Sequence, residues 1–250
     1  MNARFLAMCI PVLGALSAGC SQSRPAPAGP PTMVAHYAAA PVTVDGRLDE
    51  PIWARAPAYR LHLSSDRANT GQSVIEGGEV RLARDQRYLY LAARFADSDI
   101  VAEGDADQLA HWQKGDVCEL FLKPEGQTWY WELYVTPRSH KSSYWFPGRG
   151  RLGVPSCFDY TCGLKAAAQC VGTVNEWRDE DSEWTAELAM PIQDLTARGE
   201  RFEPGARWRV LIGRYNYSRY LPGPELTMTP RLSKTNYHLI DEFAVLELAE

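Results

Sequence analysis

Apolar and polar residues alternate with period two along much of the chain. Residues 78–84 and 88–95 are two such runs, joined by Asp85-Gln86-Arg87, and they predict a hairpin. Residues 116–123 and 128–136 predict a second hairpin around Pro124-Glu125-Gly126-Gln127. Further strands are expected at 140–146, 163–172, 182–189, 207–217 and 236–249. Many short strands separated by turn residues indicate an all-β fold, an antiparallel β-sandwich. Two short helical turns are expected, at 50–55 and 191–196, where proline opens a helix.

The alternation also assigns faces, because successive side chains of a strand point to opposite sides. In 128–136, Trp129, Trp131, Leu133 and Val135 form one row, expected in the core. Tyr130, Glu132, Tyr134 and Thr136 form the other. In 116–123, Cys118, Leu120 and Leu122 oppose Val117, Glu119, Phe121 and Lys123. A face of Tyr, Glu and Thr suits either plain solvent exposure or the floor of a polar ligand cleft, and the spacing leaves both open. On 207–217, Arg214 and Asn216 share the face of Trp208, Val210 and Ile212, and are expected to emerge at the cleft end of that strand.

The amino terminus is an address. Arg4 precedes an apolar stretch from Phe5 to Leu16, then Ser17-Ala18-Gly19-Cys20. This is a secretory signal over 1–19, too short for an ordinary membrane span. Small residues ending at a cysteine resemble the bacterial lipobox, which implies cleavage before Cys20 and diacylglycerol on its thiol. Ser21 after the cysteine, rather than Asp, favours the outer over the inner membrane in a Gram-negative cell. Residues 20–33 contain SQSRPAPAGPPT and form a proline-rich tether. The folded domain is expected over 34–250, with no second linker or repeat.

Composition narrows the partners. The net charge is −5, so there is no basic excess to neutralise nucleic-acid phosphates. The 8 Trp and 12 Tyr against 7 Phe favour aromatics with a polar handle, the kind that grips a ligand. Export leaves Cys118, Cys157, Cys162 and Cys170 in an oxidising compartment. One arrangement clips Cys157 to Cys162 and Cys118 to Cys170; buried free thiols are the other reading. No CxxC occurs, which argues against a zinc cluster. Asp97, Asp99, Asp105 and Asp107 make an acidic loop, expected to be solvated, with a structural Ca²⁺ as the other reading.

Several stretches, in order, resemble family 9 carbohydrate-binding modules and their DOMON-like relatives. Val42-Thr43-Val44-Asp45-Gly46-Arg47-Leu48-Asp49-Glu50-Pro51-Ile52-Trp53 resembles the family's opening. Residues 80–95 resemble its central hairpin, and His111 to Leu122 its W-x-x-D-x-V-E-x-F stretch, one residue longer here between Trp112 and Asp116. Trp184 to Pro191 resembles a late W-x-x-E-x-x-I-P strand. The resemblance implies a jelly-roll-type sandwich that binds a sugar between two aromatics, in the setting of carbohydrate catabolism and xylanases. It places the first clamp residue at Trp112, a ligand-contacting carboxylate at Glu119, and polar contacts at Tyr134 and Thr136. Counting back from Phe243 places the second clamp at Tyr237, with Asn236 and Lys234 nearby. Ile240 and Ala244 replace the family's Pro and Gly there.

The expected function is non-catalytic binding of a poly- or oligosaccharide by an envelope lipoprotein, monomeric, touching the membrane only through its anchor. No cofactor is expected. Hydrolysis is the enzymatic alternative, with Glu119 and Glu132 as the carboxylate pair. A haem-binding module, implied by the resemblance to DOMON-like sandwiches and limited to Met33, Met190 and Met228 as methionines after the tether, with Met190 expected in the core, and a purely structural envelope module complete the alternatives.

Overall fold

The computed structural model describes residues 29–149 and 155–250. The signal, Cys20 and the first part of the tether therefore lie outside the described residues. Strand β1 (Thr32–Tyr37) opens the fold, two residues before the expected boundary. It is followed by α1 (Pro51–Arg55), β2 (Tyr59–Arg60), α2 (Ser65–Asn69), β3 (Gly78–Arg84) and β4 (Tyr88–Ala96). Next come β5 (Val117–Pro124), β6 (Tyr130–Val135), β7 (Lys141–Phe146), β8 (Lys165–Val171) and β9 (Glu183–Pro191). The chain ends with α3 (Ile192–Leu195), β10 (Trp208–Asn216), β11 (Glu225–Thr229) and β12 (Ala244–Leu248).

The strands run in the order β7-β6-β5-β10-β12-β1-β3-β4-β9-β8, with β11 on β10 and β2 on β3. The expected β-sandwich is borne out, with one addition. β1 pairs parallel with both β12 and β3, and so joins two antiparallel halves into one wrapped sheet. The core between the halves combines Leu82, Leu91 and Phe95 with Leu120, Trp131, Leu133, Trp184, Trp208 and Ile212. Burial of large side chains of this kind contributes about 1.5–3 kcal/mol each, which sets the strand register.

Each half also carries a covered outer face. On the β3-β4-β9 half, the segment from Ala38 to Ala56 lays Val42, Ile52 and Trp53 over Ala83, Tyr90, Ala92 and Ala189. On the β5-β6-β7-β10 half, Val117, Phe121, Tyr130, Tyr134, Tyr144 and Phe146 lie under Tyr237, Ile240 and Phe243. The row of Tyr130, Glu132, Tyr134 and Thr136 is thus at most 5% exposed, which removes the reading of an open solvated sheet.

Three strands escaped the sequence pattern: β1, β2 and β11. β1 abuts the proline tether and β11 lies between Pro224 and Pro230, so both read as loop. Their pairing comes from distant strands. The expected strand over 236–249 is a loop and a 3-10 turn (Ile240–Glu242) before the shorter β12.

Neither expected disulfide forms, because Cys118, Cys162 and Cys170 are free thiols. Cys118 is sealed in the sandwich core. Cys170 turns its Sγ to the Pro137 carbonyl, 3.5 Å away. Cys162 packs towards the core, 3.8 Å from Met190 Sδ, whereas Cys157 lies in the cluster on the other side of the sheet. The acidic loop is spent on ion pairs. Asp97 meets Arg214 at 2.9 Å, Asp99 meets Arg219 at 2.9 Å, and Asp107 meets Lys141 at 3.4 Å. Among the described residues no cluster of three or more acidic, His or Cys groups is placed to hold a metal ion.

Candidate functional site

A cleft of about 360 Å³ opens over the outer face of β5, β6 and β10. Period-two alternation builds its floor. Glu119 on β5 lies opposite Tyr134 on β6 in the strand register, and Phe121 lies opposite Glu132. The three polar side chains therefore share one patch of sheet. Tyr215 comes from β10, on the face opposite Arg214, and Phe146 from β7. Trp112 enters from the loop before β5, and Phe158 from the loop after β7. Thr235, Asn236, Tyr237 and His238 close the remaining side.

The loop of Trp112 is tied down from below. The Tyr217 hydroxyl donates to the Trp112 carbonyl at 2.7 Å, and Asp116 accepts from the Tyr217 amide at 2.7 Å. The indole stays half-buried, its centroid 6.5 Å from the Tyr215 ring. Tyr237 is 5% exposed, and its hydroxyl donates towards the Arg214 and Thr227 carbonyls, 2.8 and 2.7 Å away. The ring lies directly on Gly213, where a Cβ would come within 2.5 Å of it. Tyr237 is therefore a fixed wall of the cleft, and Tyr215 is the aromatic that neighbours Trp112.

The electrostatics of the floor are unusual. Glu119 and Glu132 are 2% and 5% exposed. The Tyr134 hydroxyl donates to Glu132 Oε1 and also interacts with Glu119, so one phenol serves two carboxyls. Glu119 Oε1 and Glu132 Oε2 have no hydrogen-bond partner. Burial raises the Glu132 pKa to about 7 against the pull of the Tyr134 hydrogen bond. Burial, with the Glu132 charge next to it, raises Glu119 well above the ordinary carboxylate range. His238 does not compensate them. Burial, together with the charge of exposed Arg149, lowers its pKa to about 4, so the ring is neutral near pH 7. Its Nδ1 is 2.8 Å from the Tyr130 hydroxyl, and its Nε2 stands 3.9 Å from Glu132 Oε2, beyond hydrogen-bond reach.

Five of the seven residues expected from sequence to contact a sugar line this cleft: Trp112, Glu119, Tyr134, Tyr237 and Asn236. Two do not. Arg214 is fully buried on the core side, paired with Asp97 and donating to the Glu76 and Ala96 carbonyls and to Asn216. An unneutralised guanidinium there would be costly, and Asp97 sits across the sandwich to meet it. Thr136 belongs to the turn after β6, where its amide and hydroxyl both bind the His140 backbone. Trp145 packs on the core side beneath Arg198, 4.3 Å from the guanidinium carbon to the ring centre. Tyr215, Phe158, Thr235 and His238 escaped the sequence reading. Alternation along β10 carried the signal for Tyr215, since it opposes the row of Trp208, Val210 and Ile212. His238 sits in the segment read as strand over 236–249, and Thr235 directly before it, where no such signal exists.

A scan against protein-family profiles found no match, and neither did a search of curated proteins. Solved structures do match. A candidate carbohydrate-binding protein from Bacteroides uniformis superposes with a TM-score of 0.61 at 13% identity, over 88% of this chain and 99% of that one. A family 9 carbohydrate-binding module from Caldicellulosiruptor kristjanssonii, in complex with cellotriose, superposes at 0.54 with 13% identity, over 87% and 93%. The same kind of module from that organism, in complex with glucose, gives 0.54 and 12%, over 87% and 95%. At such identities the likeness establishes the fold alone: this chain is a β-sandwich similar in fold to family 9 carbohydrate-binding modules.

Proposed function

We propose that this protein binds a carbohydrate, without catalysis, in the cleft between Trp112 and the Glu119–Glu132 floor. The observation that carries the reading is the pair of unpartnered carboxylate oxygens beneath an aromatic wall. A buried polar atom without a partner costs about 1–3 kcal/mol. Sugar hydroxyls would supply the missing donors, while the apolar C–H face of the ring lies against Trp112 or Tyr215. The modules of the same fold that hold cellotriose and glucose support this reading.

The carboxyl arrangement also favours binding over hydrolysis. A glycosidase needs its two carboxyls on either side of the scissile bond. Here Glu119 and Glu132 lie on neighbouring strands of the same floor, and the Tyr134 hydroxyl opposite Glu119 donates to Glu132.

Titration calorimetry on the purified protein, guided by a broad glycan screen, tests the reading. Trp112→Ala should weaken binding by about thirtyfold, the loss of a central aromatic anchor. Unfolding stability should change by no more than about 1 kcal/mol, because the ring is half-exposed. Full affinity in the variant, or no glycan bound by the parent, would overturn the site or the reading respectively.

The proposal includes the envelope location. Residues 1–20 support an exported protein anchored through lipid on Cys20, in the outer membrane of a Gram-negative cell. Mass spectrometry of the mature amino terminus should find diacylated Cys20, and Cys20→Ala should release the protein from the membrane fraction.

A further inference from the structure

We propose that the cleft prefers a glycan bearing a protonated amine, an amino sugar that is not N-acetylated, over neutral sugars of the same size. The inference rests on the carbohydrate-binding reading and names the ligand class of that site.

The argument is one of missing charge. Glu119 and Glu132 face the cleft from β5 and β6, and each has an oxygen without a hydrogen-bond partner. Among the described residues that line the cleft there is no lysine or arginine. Each neighbouring element supplies a neutral group: Tyr134 from β6, Tyr215 from β10, Phe146 from β7, and Asn236 and His238 from the loop before β12. Arg149 and Lys234 are exposed and do not line the cleft; the Arg149 charge reaches His238, but water and salt weaken both charges at the floor. Among the described residues the floor therefore offers two carboxyls and one phenol proton, and nothing cationic.

A neutral hydroxyl can satisfy an orphan oxygen but leaves the two carboxyls competing for protons. An ammonium group supplies three N–H donors together with the compensating charge, and lets both carboxyls ionise. The walls act in the same direction. The faces of Trp112, Tyr215 and Phe158 carry the negative potential that attracts cations. A carboxylate-bearing sugar meets the opposite, an acidic floor with no cation to pair with. Burial acts against ionisation of the empty pair, so binding of the amine should expel a proton from it.

The test compares three trimers on the purified protein near pH 6: a glucosamine trimer, its N-acetylated form, and cellotriose. Calorimetry should find the amine trimer tighter than either neutral trimer by at least about tenfold. Repeating the titration in buffers of different ionisation enthalpy should reveal net proton release for the amine trimer. Glu132→Gln and Glu119→Gln, each with circular dichroism and melting to verify the fold, should reduce the preference to within about twofold. Equal affinity for the amine trimer and cellotriose would overturn this inference and leave carbohydrate binding standing. Failure of every glycan on a broad screen would overturn both. Persistence of the amine preference in either folded Gln variant would remove the carboxyl pair as its cause.

Discussion

Glu187 on β9 and the Glu119–Glu132 pair on β5 and β6 occupy comparable places. Each lies mid-strand on an outer face of the sandwich, beneath an aromatic cover. Each is pushed up by burial, Glu187 and Glu132 to about 7. Their partners differ. Glu187 Oε1 accepts from the Trp53 indole at 2.8 Å, and its Oε2 accepts from the amides of Asp45 and Gly46 at 3.0 and 3.1 Å. Both oxygens are satisfied, and the carboxylate works as a rivet for the amino-terminal cover. The cleft pair has two oxygens with no such partner, on residues that line a cavity. A raised pKa alone therefore does not mark a ligand site in this molecule. Unmet carboxylate hydrogen bonds on residues that line a cleft do, because an incoming group can recover their cost there.

The strongest way to break this comparison is Glu187→Ala. It orphans an indole N–H and two amides at once, and urea unfolding should show a loss of about 3–5 kcal/mol. Glu132→Gln should stay within about 1 kcal/mol of the parent or exceed it near neutral pH, since it removes a buried charge that lacks a cation. Equal destabilisation by the two would erase the distinction.

Gly213→Ala attacks the wall of the cleft. The added methyl meets the Tyr237 ring at 2.5 Å, and the ring is pinned by its two carbonyl contacts. Overpacking should cost about 1–3 kcal/mol, measured by thermal and urea unfolding, and weaken binding by displacing Tyr237.

A further effect is in the pH dependence. The folded pKa of Glu132 lies above that of an unfolded glutamate, so the native state holds the extra proton. Its stabilising contribution is complete below about pH 4.3 and is lost as pH rises through about 7. Glu132→Gln has no such loss. Melting curves should show the variant gaining on the parent between pH 5 and 8, by about 1–3 kcal/mol in total. A constant difference across that range would mean that the carboxyl is ionised throughout.

The comparison also separates what was legible in the sequence from what was not. Period-two alternation is a local property, and it assigned Trp131, Leu133 and Val135 to the core and Tyr130, Glu132 and Tyr134 to the outer face. It identified both hairpins and placed Glu119 beside Tyr134. It was silent on whether that face is covered, because the cover arrives from residues 235–243, a hundred positions later. Arg214 shows the same limit. Its face was read correctly, but its use depends on Asp97, which reaches it from the other half of the sandwich. The unexpected β1 and β11 depend on partners far along the chain as well.

By itself the sequence determined strand identity, side-chain face and the aromatic and acidic character of the outer sheet. These follow from the geometry of one chain segment. Tertiary structure alone decided that Cys118 and Cys170 stay apart, that Arg214 is an internal ion pair, and that Glu187 is satisfied while Glu119 and Glu132 are not. Such outcomes turn on which donors and charges distant segments bring within about 3 Å, and no local pattern encodes that.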